Sequence, residues 1–158
     1  MKDAPTSSVL PTLNRVLTAL GWAAYPLLLA ACALTAPDLL VRLVCVPAAG
    51  FAICTVLRAA IDAPRPYEES DVQAAIPKKT RGRSFPSRHV FSMATIALSW
   101  LFLGLSWPPA LVVGALLFAS SIFMAWARVE LGVHYVRDVV AGLLLAACVC
   151  AVGFVFRW

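Results

Sequence analysis

The sequence predicts an all-α fold, a multi-pass bundle of about five transmembrane helices with its polar chemistry gathered at one membrane face. Three observations predict it. The 158 residues are 61% hydrophobic and 13% charged, about half the ~25% charged share of soluble domains, and mean hydropathy is +0.85. The 21 charged side chains, 13 Lys+Arg and 8 Asp+Glu, leave residues 16–36 and 90–127 with none. Turn residues then divide the apolar sequence into lengths close to the ~20 residues that cross a bilayer.

The first span is expected over 16–36, closed by Pro37-Asp38, and the second over 39–57. Pro26 and Pro47 should kink these two helices, as neighbouring helices in a membrane allow. The charge-free run 90–127 is too long for one span. Gly104-Leu-Ser-Trp-Pro-Pro109 breaks it into spans over 89–104 and 109–127, and a fifth follows over 139–156. No signal-peptide cleavage pattern precedes the first span, which is read as a mature helix. The whole of 1–158 reads as one membrane-embedded domain. Cys32, Cys45, Cys54, Cys148 and Cys150 all lie in apolar stretches and read as small hydrophobes, so no disulfide or metal cluster is expected.

Outside the spans remain a tail to Arg15, a loop over 58–87 and a linker over 128–138. Counting crossings places all three at one face, so segments 80 positions apart, at Arg58 and Asp138, converge. The first constellation is Arg58-x6-Arg65-Pro66. Arginine's planar fork suits bidentate phosphate binding, although arginine at a helix end also anchors to headgroups with no further role. The second is Ser84-Phe-Pro-Ser-Arg-His-Val90. Ser87 is a natural N-cap, and a helix N-terminus is a ready anion site. His89 in the first turn is placed to protonate a leaving oxygen; the plainer reading is a capping serine and a headgroup-facing histidine. The third is Arg128-x5-His134-x3-Asp138. On a helix, residues four apart share a face, so Asp138 would hold one ring nitrogen of His134 and leave the other as a nucleophile. A structural hydrogen bond is the alternative, but an ionisable pair at the edge of a span favours function.

His89, Glu130, His134 and Asp138 could in principle ligate a metal, yet Arg58, Arg65, Arg88 and Arg128 would repel a divalent cation and attract an anion. No metal and no cofactor are expected. The net charge of +5 suits lipid headgroups or phosphorylated substrates better than nucleic acid.

Taken together, the three constellations resemble the signature of the type 2 phosphatidic acid phosphatase superfamily, K-x6-R-P, then P-S-G-H, then S-R-x5-H-x3-D, over residues 58 to 138. The resemblance implies that Arg58, Arg65 and Arg128 bind phosphate oxygens and that Ser87 and the N–H groups around Arg88 cradle them. It also implies His89 as general acid, His134 as nucleophile and Asp138 as its orienter, with a lipid phosphate or lipid diphosphate as substrate, a phosphohistidine intermediate and no metal. Three departures stand out: Arg58 replaces the usual Lys, Arg88 the usual Gly, and Ala127 the Ser before Arg128. Arg88 adds a cation and is expected to favour a substrate with two phosphates, such as a polyprenyl diphosphate. One span fewer than the six of membrane members puts the N-terminus on the active-site side.

Two other classes fit less well. A vanadate-binding haloperoxidase relative would be soluble, and a membrane scaffold has no use for both histidines and Asp138 among arginines. The protein is expected in the cell membrane. Of 13 Lys+Arg, all but Arg42 and Arg157 fall on the active face, leaving 11, which by the positive-inside rule is cytoplasmic. The resemblance implies an extracytoplasmic site, and that side is the one favoured. The charged loop over 67–83, from Glu68, Glu69 and Asp71 to Lys78, Lys79, Arg81 and Arg83, reads as a solvated connector or a lid.

Overall fold

A computed structural model describes residues 9–69 and 81–156. Five long helices carry the fold: α1 (Val9–Thr35), α2 (Leu40–Ile61), α4 (Arg88–Leu103), α5 (Pro109–Glu130) and α6 (Val136–Val155), with a single turn, α3 (Pro66–Glu69), in the connection after α2. All described regular structure is helical. Four of the long helices, α1, α2, α5 and α6, are long and apolar enough to cross a membrane. The fifth is the 16-residue α4, about 24 Å at 1.5 Å per residue. It is the inner helix, with Val90, Phe91, Met93, Ala94, Ala97, Trp100 and Leu103 all buried, and it packs against α1, α2, α5 and α6. Outward positions such as Leu27, Leu34, Leu116 and Leu144 are exposed, as lipid-facing side chains should be.

The five expected spans are all helical, but their ends move. The helix α1 begins at Val9 rather than 16, so Asn14 and Arg15 belong to it and not to a tail. At the other end of the first pair, α2 runs on to Ile61, and α5 runs on to Glu130, which makes Arg128 a helical residue. Helices do not stop at the first charge: Arg15 stays exposed at the rim, whereas Arg58 and Arg128 turn inward at the end of the bundle. Both α1 and α2 continue through Pro26 and Pro47. Asp62 ends α2 in the left-handed conformation, φ 43°, its N–H donating to the Arg58 carbonyl. All five cysteines are free thiols.

One close approach positions the site. A Cβ on Gly142 of α6 would lie 2.8 Å from the Ser87 carbonyl, and the Ser87 N–H donates to the Asp138 carbonyl at 2.8 Å. Only glycine lets α6 touch the start of α4 so closely. The two motif segments 84–89 and 134–138 are thereby locked together.

Candidate active site

At the end of the bundle where α2, α5 and the starts of α4 and α6 meet, seven of the eight polar or charged side chains that the sequence singled out come within one region. Arg58, Arg65, Ser87, Arg128, His134 and Asp138 are all buried. His89 is half-buried and Arg88 is exposed.

The histidine is the best defined. His134 is 2% exposed and Asp138 is 0%, and Nδ1 of the ring lies 3.4 Å from Oδ2 of Asp138. The expected reason was a shared helix face, and that is not how the pair forms. His134 lies in the turn 131–135, after Gly132 at φ 67°, and α6 starts only at Val136. Asp138 is the third residue of α6 and reaches back, its Oδ2 accepting from the Tyr135 N–H at 3.0 Å. A carboxylate that closes its own helix's first turn has little rotational freedom.

Ser84, a residue of the second constellation whose role the sequence does not reveal, supplies the missing piece. Fully buried, its hydroxyl donates to Asp138 Oδ2 and its oxygen is 3.2 Å from His134 Nδ1. Because the serine hydrogen is spent on the carboxylate, only its lone pair faces the ring. Nδ1 therefore meets two acceptors, Ser84 Oγ and Asp138 Oδ2, and must carry the proton. Nε2 is left with its lone pair bare. Burial is the main cause that lowers the ring's pKa to about 4; the Asp138 hydrogen bond opposes it, and the Arg128 and Arg65 charges lower it further. The imidazole is neutral, as a nucleophile must be. Ser84→Ala should lower kcat by about ten- to a hundred-fold, the ~1.5–3 kcal/mol of a hydrogen bond to a charged group, with little change in KM. Steady-state kinetics separate these, because loss of packing alone would not spare KM.

Around the histidine stand three buried guanidiniums, each held differently. Nη1 of Arg58 donates to the Pro86 and Ser84 carbonyls. Arg65 donates from Nε to the Gly82 carbonyl at 3.1 Å and from Nη1 to the Val133 carbonyl at 3.2 Å. Both arginines thus fasten the motif loops while keeping other donors of their five. The Glu68 carboxylate of α3 accepts from the Gly82 N–H at 2.9 Å and steadies the same loop. Arg128 is buried, and its Nε has no partner. The ion pairs among the described residues involve Arg83, Arg137 and His134, so none of these three cations is neutralised by a carboxylate. Three buried, uncompensated positive charges are costly unless an anion completes them.

Ser87 is the N-cap of α4 but makes no side-chain cap, and its buried Oγ has no partner. The hydroxyl expected to cap is instead held ready beside the helix's unpaired N–H groups. Arg88 goes elsewhere: its guanidinium lies over the Phe51 ring of α2, 5.5 Å from the centroid. His89 lines a cavity of about 410 Å³ with Arg128 and Val133. Among the described residues no three His, Cys, Asp or Glu side chains converge. Tyr135 donates to Glu69 Oε2 at 2.8 Å, tying the turn that carries His134 to α3. Lys78, Lys79 and Asp71 of the charged loop lie outside the described residues.

The family model described as PAP2 superfamily matches residues 39–158. The chain belongs to the PAP2 superfamily. All three constellations fall inside the matched segment, whereas α1 precedes it. An Escherichia coli (strain K12) protein provisionally named undecaprenyl-diphosphatase YbjG is 39% identical over 67 residues, 42% of this chain and 31% of that protein, so the match spans about a third of its length. Two solved PAP2-like folds superpose closely. Aquifex aeolicus LpxE matches with a TM-score of 0.76 at 23% identity, over 96% of this chain and 89% of LpxE. A transmembrane PAP2 type phosphatidylglycerolphosphate phosphatase from Bacillus subtilis matches at 0.73 and 22%, over 94% and 77%. This membrane phosphatase family fits the apolar helices and the buried arginine-histidine centre described above.

Proposed function

We propose that this PAP2 protein hydrolyses a lipid diphosphate, and more slowly a lipid monophosphate, through a phosphohistidine on His134 and without a metal ion. The observation that carries the reading is a neutral, buried His134 with Nδ1 held by Asp138 and Ser84 beside three guanidiniums that have no carboxylate partner among the described residues. The diphosphate preference draws on the E. coli relative's provisional name and on the density of cations.

The steps follow from the groups present. Arg58, Arg65 and Arg128, with Ser87 Oγ and the first N–H groups of α4, hold the terminal phosphate. The Nε2 lone pair of His134 forms a bond to phosphorus as the phosphorus–oxygen bond to the leaving group breaks, and the leaving oxygen takes its electron pair and a proton from His89. A water then gives a proton to His89 and attacks phosphorus, and the phosphorus–nitrogen bond returns its pair to Nε2. Asp138 stabilises the transient charge on the ring without itself being protonated. The site is proposed to face the extracytoplasmic side.

Two measurements test this. Purified protein in one detergent, given a polyprenyl diphosphate, a polyprenyl monophosphate and phosphatidic acid in excess EDTA, should release phosphate from all three, fastest from the diphosphate. Activity restored only by a divalent cation would contradict the metal-free reading. The pH profile of kcat/KM, which reports the free enzyme, should keep its acid limb close to pH 4 after allowance for the substrate's own ionisation. Protonation removes the nucleophile, and His134 protonates only about there. A limb near the ordinary histidine value of ~6.5 would mean that another base limits the reaction.

A further inference from the structure

The inner stripe of α1 is Asn14, Gly21, Ala24, Leu28 and Cys32. Four of these pack against the bundle as small or apolar residues should. The fifth does not fit: Asn14 is 8% exposed, and its Oδ1 has no hydrogen-bond partner. An unsatisfied buried amide costs about 1–3 kcal/mol, so a polar side chain at this position needs a compensating ligand. The hydroxyl one turn along its own helix does not serve it, since Thr18 Oγ1 donates to the Asn14 backbone carbonyl at 2.8 Å.

Asn14 lines the cavity of about 410 Å³ that holds His89 and Arg128. Arg15, Thr18, Ala19 and Trp22 continue the α1 wall, with His89, Arg128 and Val133 opposite. The cavity therefore joins the residue assigned to the leaving oxygen, His89, to a helix outside the family-matched segment. It carries cations from both walls, Arg15 and Arg128. A half-turn of an amide about its terminal bond exchanges acceptor for donor, so Asn14 can offer its NH2 group to an anion. Arg88, the cation expected to select a second phosphate, is turned to Phe51 on α2. Arg15, not Arg88, lines the cavity that His89 faces.

We propose that Asn14 and Arg15 form the subsite for the second phosphate of a lipid diphosphate, the one that leaves with the lipid, and so set the preference for diphosphates over monophosphates. This rests on the phosphatase reading above. When the phosphorus–oxygen bond to the bridging oxygen breaks, the departing lipid monophosphate gains negative charge and takes the His89 proton. Asn14 donates a hydrogen bond to a non-bridging oxygen of that group, and Arg15 supplies the charge.

The test is the ratio of kcat/KM for a polyprenyl diphosphate to that for the same polyprenyl monophosphate, in wild type, Asn14→Ala, Asn14→Asp and Arg15→Gln. The ratio should fall by about tenfold in Asn14→Ala and in Arg15→Gln, and furthest in Asn14→Asp, where a carboxylate faces the departing phosphate. Arg15 is exposed on α1, so its variant keeps the test sound even where Asn14 variants fold poorly. Equal losses on both substrates would make Asn14 a packing residue and overturn the subsite. Unaltered kcat/KM on both substrates would mean that neither side chain meets the substrate, with the same consequence. Wild type that turns over neither substrate would overturn the phosphatase reading and the subsite with it, whereas turnover with an unchanged ratio removes the subsite alone.

Discussion

His134→Ala is expected to abolish phosphate release, with a loss on the order of a million-fold, as when a nucleophile is removed from a hydrolase that forms a covalent intermediate. Asp138→Asn should retain a trace of activity, down about ten-thousand-fold, because it keeps the nucleophile but disturbs its tautomer. The geometry explains the difference. Oδ2 of Asp138 accepts from Ser84 and from the Tyr135 N–H and faces His134 Nδ1. An asparagine that turns its NH2 group toward the ring would present a donor to Nδ1 and push the ring proton onto Nε2, the atom that must attack. Ordered rates, His134→Ala below Asp138→Asn below Ser84→Ala, would be measured with one substrate in one detergent. Appreciable turnover by His134→Ala would remove the nucleophile assignment.

Arg128→Ala is the second large effect expected, a fall of about 10²–10³-fold in kcat/KM, the size seen when one preorganised charge-stabilising donor is lost. Of the three arginines it gives the cleanest measurement. Arg58 and Arg65 hold the carbonyls of Ser84, Pro86, Gly82 and Val133, so removing either also loosens the loops that carry the motif. Arg128 Nε makes no such bond, and removing a buried cation that no carboxylate pairs among the described residues should not lower the thermal unfolding temperature while catalysis falls. Arg128→Lys should recover only part of the loss, because an ammonium cannot reproduce the planar fork. A loss below tenfold in Arg128→Ala would place the phosphate elsewhere.

Much of this was legible in the sequence. Helices bounded by Pro37, Gly104 and Pro109 follow from charge-free runs and turn residues, because an apolar run has no other stable form in a bilayer. Arg58, Arg65, Arg128, His134 and Asp138 could be found because each constellation is short and contiguous. What escaped was set by three-dimensional packing. Ser84 looks like any loop serine until the Gly142 contact draws segment 84–89 onto α6. Asn14 reads as a tail residue in the sequence, since the charge of Arg15 hides that α1 begins at Val9. The His134 and Asp138 spacing pointed to the right pair for the wrong reason, with a turn at Gly132 and a helix start at Val136 doing what a shared helix face was expected to do. Arg88 reads as a site cation from its neighbours alone, yet its long stem lets the guanidinium settle on Phe51.

The stereochemical course at phosphorus tests the covalent role of His134 most directly. A lipid phosphate whose terminal group carries sulfur and one labelled oxygen would be hydrolysed in water of a third oxygen isotope, and the configuration of the released thiophosphate determined. Attack by His134 followed by attack of water inverts phosphorus twice, so net retention is expected; net inversion would mean that water attacks directly and that no phosphohistidine lies on the path.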